Sequence, residues 1–247
     1  MSGLMKLTRE MKRRHGSGGF GVEILHPGLS ERSGDSGIGA LGRLDHARVT
    51  EGTVVEMHPH RDDEILTYLR TGRVLHKDTV GESEEVSATR MMLMNAGHTF
   101  EHEEKVIEGP LTGLQIFLRP DAADLTPMVQ FHDFGTRDSI DAWRLLAGPQ
   151  DSPLKVRARA QVHDMRLTQG QARDMPKRAW PGAPRLLYVF DGTATVGDLV
   201  LEPGEAVVLE DDMPVESLSD SDLVLFTLDR AAQVFRGGMF SGNTLAR

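Results

Sequence analysis

Two pairs of side chains in this sequence have the types and the spacing to hold a metal ion. His58 and His60 flank Pro59, and about forty residues on, His102 and Glu104 flank Glu103. In an extended strand, residues i and i+2 point to the same face. Each pair therefore aims two ligating groups at one place. Two imidazoles side by side repel when protonated; a shared cation removes the conflict by binding both rings in the neutral form. If the two strands are neighbours, three imidazoles and one carboxylate converge. That mixed set suits a borderline divalent ion: iron(II), manganese, cobalt, nickel or zinc. Four protein ligands leave one or two positions open on a five- or six-coordinate ion, as catalysis requires. Six of the ten histidines fall between His46 and His102.

Other chemistries find no support. The chain has no cysteine, which excludes disulfides, zinc–thiolate sites and cysteine nucleophiles. There is no phosphate-cradling glycine loop and no G-x-S-x-G elbow. Met91, Met92 and Met94 read as core filler, because a hard N/O site gains little from a thioether. His76 reads as a strand-surface residue, and His132 and His163 are assigned no role.

The elements that must carry these ligands look like strands. Between Arg43 and Pro120, short segments rich in Val, Ile, Thr and Leu recur between Gly or charged turns: TVVEM, ILTYLR, RVLHK, TRMMLM and LTGLQIFLRP. No long amphipathic helix separates them, which points to an all-β sandwich or barrel. The pattern returns from Leu154 to Val234. One offset of 120 residues separates Tyr68 from Tyr188 and Gly72 from Gly192, the signature of an internal duplication. The resulting expectation is an all-β chain of two tandem barrels. Residues 1–42 form an N-terminal segment, mostly loop from 16 to 42 with one strand at Val22–Leu25. Residues 43–125 form a metal-binding barrel, 126–153 a linker, and 154–247 a second barrel without metal. Within the linker, Ile140, Trp143, Leu146 and Ala147 fit a short helix capped by Asp138, or equally a strand with a turn.

Composition limits the partners. The formal net charge is -9, and 5% aromatic residues leave little for a base-stacking platform. Direct nucleic-acid binding is not expected. The basic cluster from Lys6 to His15 reads as a solvated tail. No run approaches the roughly 20 apolar residues of a membrane span, and MSGLMKLTRE lacks a signal-peptide core, so a cytoplasmic protein is expected.

At this point the residues resemble a known family. Gly52, His58, His60, Glu64 and Gly72 have the spacing of a cupin motif. HPHRDDEILTYLRTGRVLHKDTVG is similar to the pirin pattern HPHRGFE-x-x-TY-x-x-x-G-x-x-x-H-x-D-x-x-G. The likeness runs on through Met94-Asn95-Ala96-Gly97, His102-x-Glu104 and Gly109-Pro110-Leu111-x-Gly113-Leu114-Gln115. It is specific from 43 to 120 and fainter from 185 to 230. The resemblance implies a bicupin, two jelly-roll barrels, with one metal held by His58, His60, His102 and Glu104. Iron(II) is the first candidate metal. Glu64 would stand behind the ligands or replace Glu104. Asp62-Asp63 stands where pirins have Gly-Phe, and His98 and Thr99 replace an Arg and a Gly. Asp62, Asp63 and His98 are thus expected on the pocket rim, where an acidic edge would favour a polar or cationic ligand.

The same resemblance implies two activities. Some pirin-like bicupins are quercetin dioxygenases, which would make this a metal-dependent enzyme opening a flavonol or another enolisable small molecule. Glu104 would then be ligand and general base. Other pirins are regulators that touch a transcription factor or a metabolic enzyme through a metal switch. A cupin of a third activity is the remaining reading.

Overall fold

The structure is a computed structural model that describes residues 4–149 and 151–246; residues 1–3, 150 and 247, which fall in the expected N-terminal segment, linker and second barrel, lie outside it. Strands dominate. The first half carries β1 (Leu4–Leu7), β2 (Arg13–Ser17), β3 (Phe20–Leu25), β4 (Leu41–Val49), β5 (Val54–His60), β6 (Glu64–Asp78), β7 (Ser83–Ser87), β8 (Arg90–Asn95), β9 (Phe100–Leu118) and β10 (Met128–Asp133). The second carries β11 (Arg144–Gly148), β12 (Leu154–Lys155), β13 (Ala160–Leu167), β14 (Ala172–Arg173), β15 (Arg185–Asp191), β16 (Ala194–Val196), β17 (Leu199–Leu201), β18 (Ala206–Leu209), β19 (Val215–Ser217) and β20 (Ser221–Leu228).

In the first half, nine strands form one hydrogen-bonded sheet, ordered β10-β8-β6-β9-β4-β3-β2, with β5 on β9 and β7 on β6. Its spine is the antiparallel pair β6 and β9, of 15 and 19 residues. Their register shifts between Leu69 and Val74. Such irregularities bend a strand. On one side of the bend β9 pairs with β4; on the other it pairs with β5. The long strands thus serve two facing layers, and the candidate ligands sit on the layer made by β5, β9 and β6.

The second half has a seven-stranded sheet, β1-β18-β15-β20-β13-β11-β12, and a four-stranded one, β14-β19-β16-β17. Met165, Leu187, Val207, Leu223 and Leu225 pack between them. A larger core joins the halves: Leu44, Leu66, Tyr68, Leu93 and Ile116 pack with Val162, Leu186, Tyr188, Val224 and Phe226. Burying each such side chain contributes about 1.5–3 kcal/mol. Polar groups stitch the same interface. Arg70 reaches Asp222 at 2.7 Å, and the Tyr188 hydroxyl lies 2.7 Å from His46 Nδ1 and 2.9 Å from Lys12 Nζ. The 120-residue offset recurs in the backbone. Gly72 and Gly192 both have φ of +80°, just beyond bulges at Leu69/Thr71 and Val189/Asp191.

The all-β class and the cupin architecture hold, with corrections. The sheets are open rather than closed barrels. Of the two readings of Asp138–Ala147, the strand with a turn is the one formed, and the short helix is not. Asp141 sits at φ +52°, Ile140 is exposed, and β11 pairs with β13, so tertiary pairing overrides a weak helical period. The expected linker also contributes β10 to the first sheet, through pairing with β8. The glycine-rich segment forms more than one strand, since β2 and β3 make a hairpin against β4. Nor is the N-terminal basic cluster a solvated tail: β1 pairs with β18, and the Lys12 side chain is only 2% exposed. Among the described residues, no helix is long and apolar enough to cross a membrane.

Candidate metal centre

Strand β9 lies between β5 and β6, and its registers set the site. His58 of β5, His102 of β9 and Asp78 of β6 form one cross-strand row; Val55, Glu104 and His76 form the next. His60, two residues from His58, shares its face. The rings of His58, His60 and His102 form a triangle with centroid separations of 4.9, 4.4 and 4.9 Å. A ligand atom from each lies within 4.8 Å of the others.

The nitrogens fit a cation. His60 Nε2 and His102 Nε2 are 3.0 Å apart. Two nitrogens about 2.1 Å from one ion, at a right angle, are separated by about 3.0 Å. His58 Nδ1 lies 2.8 Å from the Glu56 carbonyl, an acceptor only, so Nδ1 carries the proton and donates it in a hydrogen bond, leaving Nε2 bare. Burial holds the His58 and His102 rings below the usual histidine range, His102 far below it, so both offer lone pairs at neutral pH.

Glu104 takes a different position from the one expected. Its Oε1 lies 3.9 Å from His102 Nδ1, the nitrogen facing away from His60. It groups with His76 and His102 rather than with the three clustered imidazoles. Gln115 Nε2 donates to its Oε2 at 3.2 Å, while Oε1 is buried without a partner. Burial pushes this carboxyl up to about 7. A nearby cation would reverse that shift. An unpaired buried carboxylate oxygen beside neutral imidazoles is a donor set suited to a divalent ion.

The other expected residues lie elsewhere. Glu64 is fully buried and accepts from Arg157 Nε at 2.7 Å and Arg157 N at 2.9 Å, so it joins the two halves. The acidic rim does not exist. Asp62, in the left-handed region at φ +54°, accepts from Asp124 N at 2.7 Å. Asp63 accepts from Phe240 N and Ser241 N, at 3.0 and 2.8 Å. Both carboxylates hold loops together, though Asp63 Oδ2 comes within 3.8 Å of His60 Nδ1. His98 is exposed and is not among the residues that line the cavity.

That cavity, of about 400 Å³, opens between the two layers. His58, His60 and Glu104 lie at one face of it, with walls that include Val74, Val106, Leu111 and Phe117. The size falls within the range of small-molecule sites. Phe240, from the C-terminal stretch, packs against His60 with ring centroids 5.1 Å apart and the planes tilted by 55°. Sequence reasoning missed that residue, which nothing local marks. It also misplaced His76, which is fully buried, 2.8 Å from Asp78 Oδ2. The i, i+2 spacing of His76 and Asp78 was the available signal.

Comparison with known proteins agrees with this picture. Residues 39–118 match the pirin family model. The chain is 26% identical over 202 residues to a quercetin 2,3-dioxygenase of Escherichia coli, covering 78% of this chain and 84% of that one. It is 27% identical over 195 residues to a pirin-like protein of Caulobacter vibrioides, covering 76% and 82%. The nickel(II) complex of the bacterial pirin YhhW from Escherichia coli superposes with a TM-score of 0.78, at 22% identity over 91% of this chain and 98% of that one. Residues 39–118 thus match a pirin domain, and the chain as a whole has the all-β cupin fold.

Proposed function

We propose that this chain is a metal-dependent dioxygenase acting on a small, largely apolar, enolisable compound of the flavonol type. One observation carries the reading. His58 and His60, two of the three converging imidazoles, and Glu104 line one end of an apolar cavity large enough for such a ring system. The reaction type comes from the quercetin 2,3-dioxygenase relative. His58, His60 and His102 would hold the ion, with Glu104 as fourth candidate. Iron(II) is the first choice, and nickel, manganese, cobalt and zinc suit the same donors.

A bound divalent ion supplies Lewis acidity toward a substrate oxygen and access to dioxygen. The protein supplies the rest. Glu104, which lines the cavity, accepts the substrate hydroxyl proton, while Gln115 holds its Oε2 in place. Val74, Val106, Leu111 and Phe117 exclude water and match a flat ring. Apart from Glu104, the carboxylate lining the cavity is Asp45, and Arg43 Nε donates to it at 2.7 Å. Arg13 and His15 also line the space. That balance favours a neutral or anionic ligand over the cationic one an acidic rim would select.

The test is metal content by elemental mass spectrometry in the wild type and in a His58→Ala/His102→Ala variant, followed by oxygen uptake with flavonols. The expected result is about one equivalent of metal per chain, lost in the variant, and substrate-dependent oxygen consumption. Glu104→Gln should lower that uptake by about 10²–10⁴-fold. A metal-loaded protein that consumes no oxygen with flavonols or other enolisable compounds would overturn the dioxygenase reading. Absence of metal even after soaking would overturn the centre itself.

A further inference from the structure

Behind His102 lies a chain of buried groups that the reaction does not touch. Asp78, His76 and His102 have fully buried side chains. His76 Nε2 is 2.8 Å from Asp78 Oδ2, and His76 Nδ1 is 3.4 Å from His102 Nδ1. The far nitrogen of His102, Nε2, is the one that faces His60. Phe100 stacks nearly parallel to the His76 ring, at an interplanar angle of 10°, and Phe131 meets it edge-on.

We propose that Asp78 and His76 are positioning residues that lock His102 in the tautomer carrying its proton on Nδ1, so that Nε2 is bare for the ion. The direction of the chain is set at Asp78. Its Oδ1 accepts from the backbone N–H groups of Val80, Gly81 and Glu82, at 2.8, 2.9 and 3.0 Å. Its Oδ2 is therefore turned to His76, and a carboxylate can only accept there. The His76 proton must then sit on Nε2, which makes His76 Nδ1 an acceptor. His102 Nδ1 meets that acceptor and must be the donor. Metal-binding imidazoles generally need such a partner on the second nitrogen, which fixes ring orientation and basicity. His58 has one in the Glu56 carbonyl. For His102 the partner is two residues deep.

This inference rests on the reading of His102 as a ligand, but its first test does not need metal. Long-range ¹H–¹⁵N spectra of the histidine rings in the metal-stripped chain of 247 residues report each tautomer. His102 should carry its proton on Nδ1, and the Nε2–H form in the wild type overturns the proposal. The second test is Asp78→Asn. The three backbone donors keep the amide oxygen where Oδ1 was, so the NH₂ group must face His76. Every donor and acceptor in the chain then reverses, and His102 should appear protonated on Nε2. Nickel(II) affinity, read by competition with a chromophoric chelator, should fall about 10–100-fold. His76→Phe keeps the ring volume and the stacking but removes the link. It should give mixed His102 tautomers and a loss of affinity without the reversal. If either variant folds, by circular dichroism, and shows an unchanged His102 tautomer and a nickel affinity within twofold of wild type, the two residues are merely structural and the proposal fails. If the wild type binds no nickel yet shows Nδ1–H, the metal-centre reading fails while the relay stands.

Discussion

Glu64 offers the sharpest contrast between an expectation from motif spacing and the structure. The cupin spacing places it beside the ligands; the structure makes it the anchor between the two halves. Replacing it with alanine should therefore cost stability and leave metal binding intact. Three donors lose their acceptor: Arg157 Nε, Arg157 N and Asn95 Nδ2. Removing one member of a buried ion pair costs about 3–5 kcal/mol. Arg157 is 22% exposed and also donates to the Thr126 carbonyl, so it can recruit water and keep one partner. The low end, about 3 kcal/mol, is the appropriate figure. For a chain of this size that lowers Tm by roughly 6–12 °C. Burial raises the Glu64 carboxyl even against Arg157, so the pair offsets its own desolvation incompletely. A double replacement, Glu64→Leu with Arg157→Met, should accordingly recover most of the loss. Thermal unfolding and metal content, measured on the same preparations, decide the matter. Loss of metal with an unchanged Tm would refute the reasoning and return Glu64 to the ion.

Other perturbations separate structural from chemical roles. Asp63→Ala removes the acceptor for the Phe240 and Ser241 amides; hydrogen exchange at both should speed up markedly, and unchanged protection would refute the loop-holding role. His163 is buried, and desolvation lowers its pKa to about 4 from an ordinary 6.5. The unfolded chain then binds a proton that the folded one refuses, so stability is full above pH 6.5 and falls toward pH 4, by about 3 kcal/mol from this group. His163→Leu should flatten that limb of the Tm–pH curve, and an unaltered slope would exclude His163 as its source. Gly72→Ala should lower Tm, because an added Cβ at φ +80° would meet the Glu108 carbonyl oxygen at 2.8 Å. A Tm equal to wild type would show that the bulge there yields freely.

What the sequence made legible and what it hid divide along a physical line. A period of two is a local property of a strand, so His58 with His60 could be placed on one face without knowing the fold. Their convergence with His102 needed one further assumption, that β5 and β9 are neighbours, and the registers supply it. Side-chain direction beyond that face is not local. Glu104 shares its strand face with His102, yet its free oxygen addresses the nitrogen on the opposite side of the ring from His60. Asp62 and Asp63 read as an acidic rim only until the chain returns. The amides that claim Asp63 are 177 and 178 residues away. His76 failed for a related reason. A histidine followed by Lys77 and Asp78 looks solvated, and only the packing of Phe100 and Phe131 against it shows otherwise. Alternation itself holds at this end of β6, where Val74 and His76 are buried while Arg73 and Lys77 are exposed, but it does not say which of the two faces is the inner one. A polar i, i+2 pair at such an end is better read as a buried hydrogen-bonded pair, since an unpaired one would cost several kcal/mol in that environment. His76 and Asp78 satisfy that requirement with each other, and the nitrogen left over on His76 is what reaches His102.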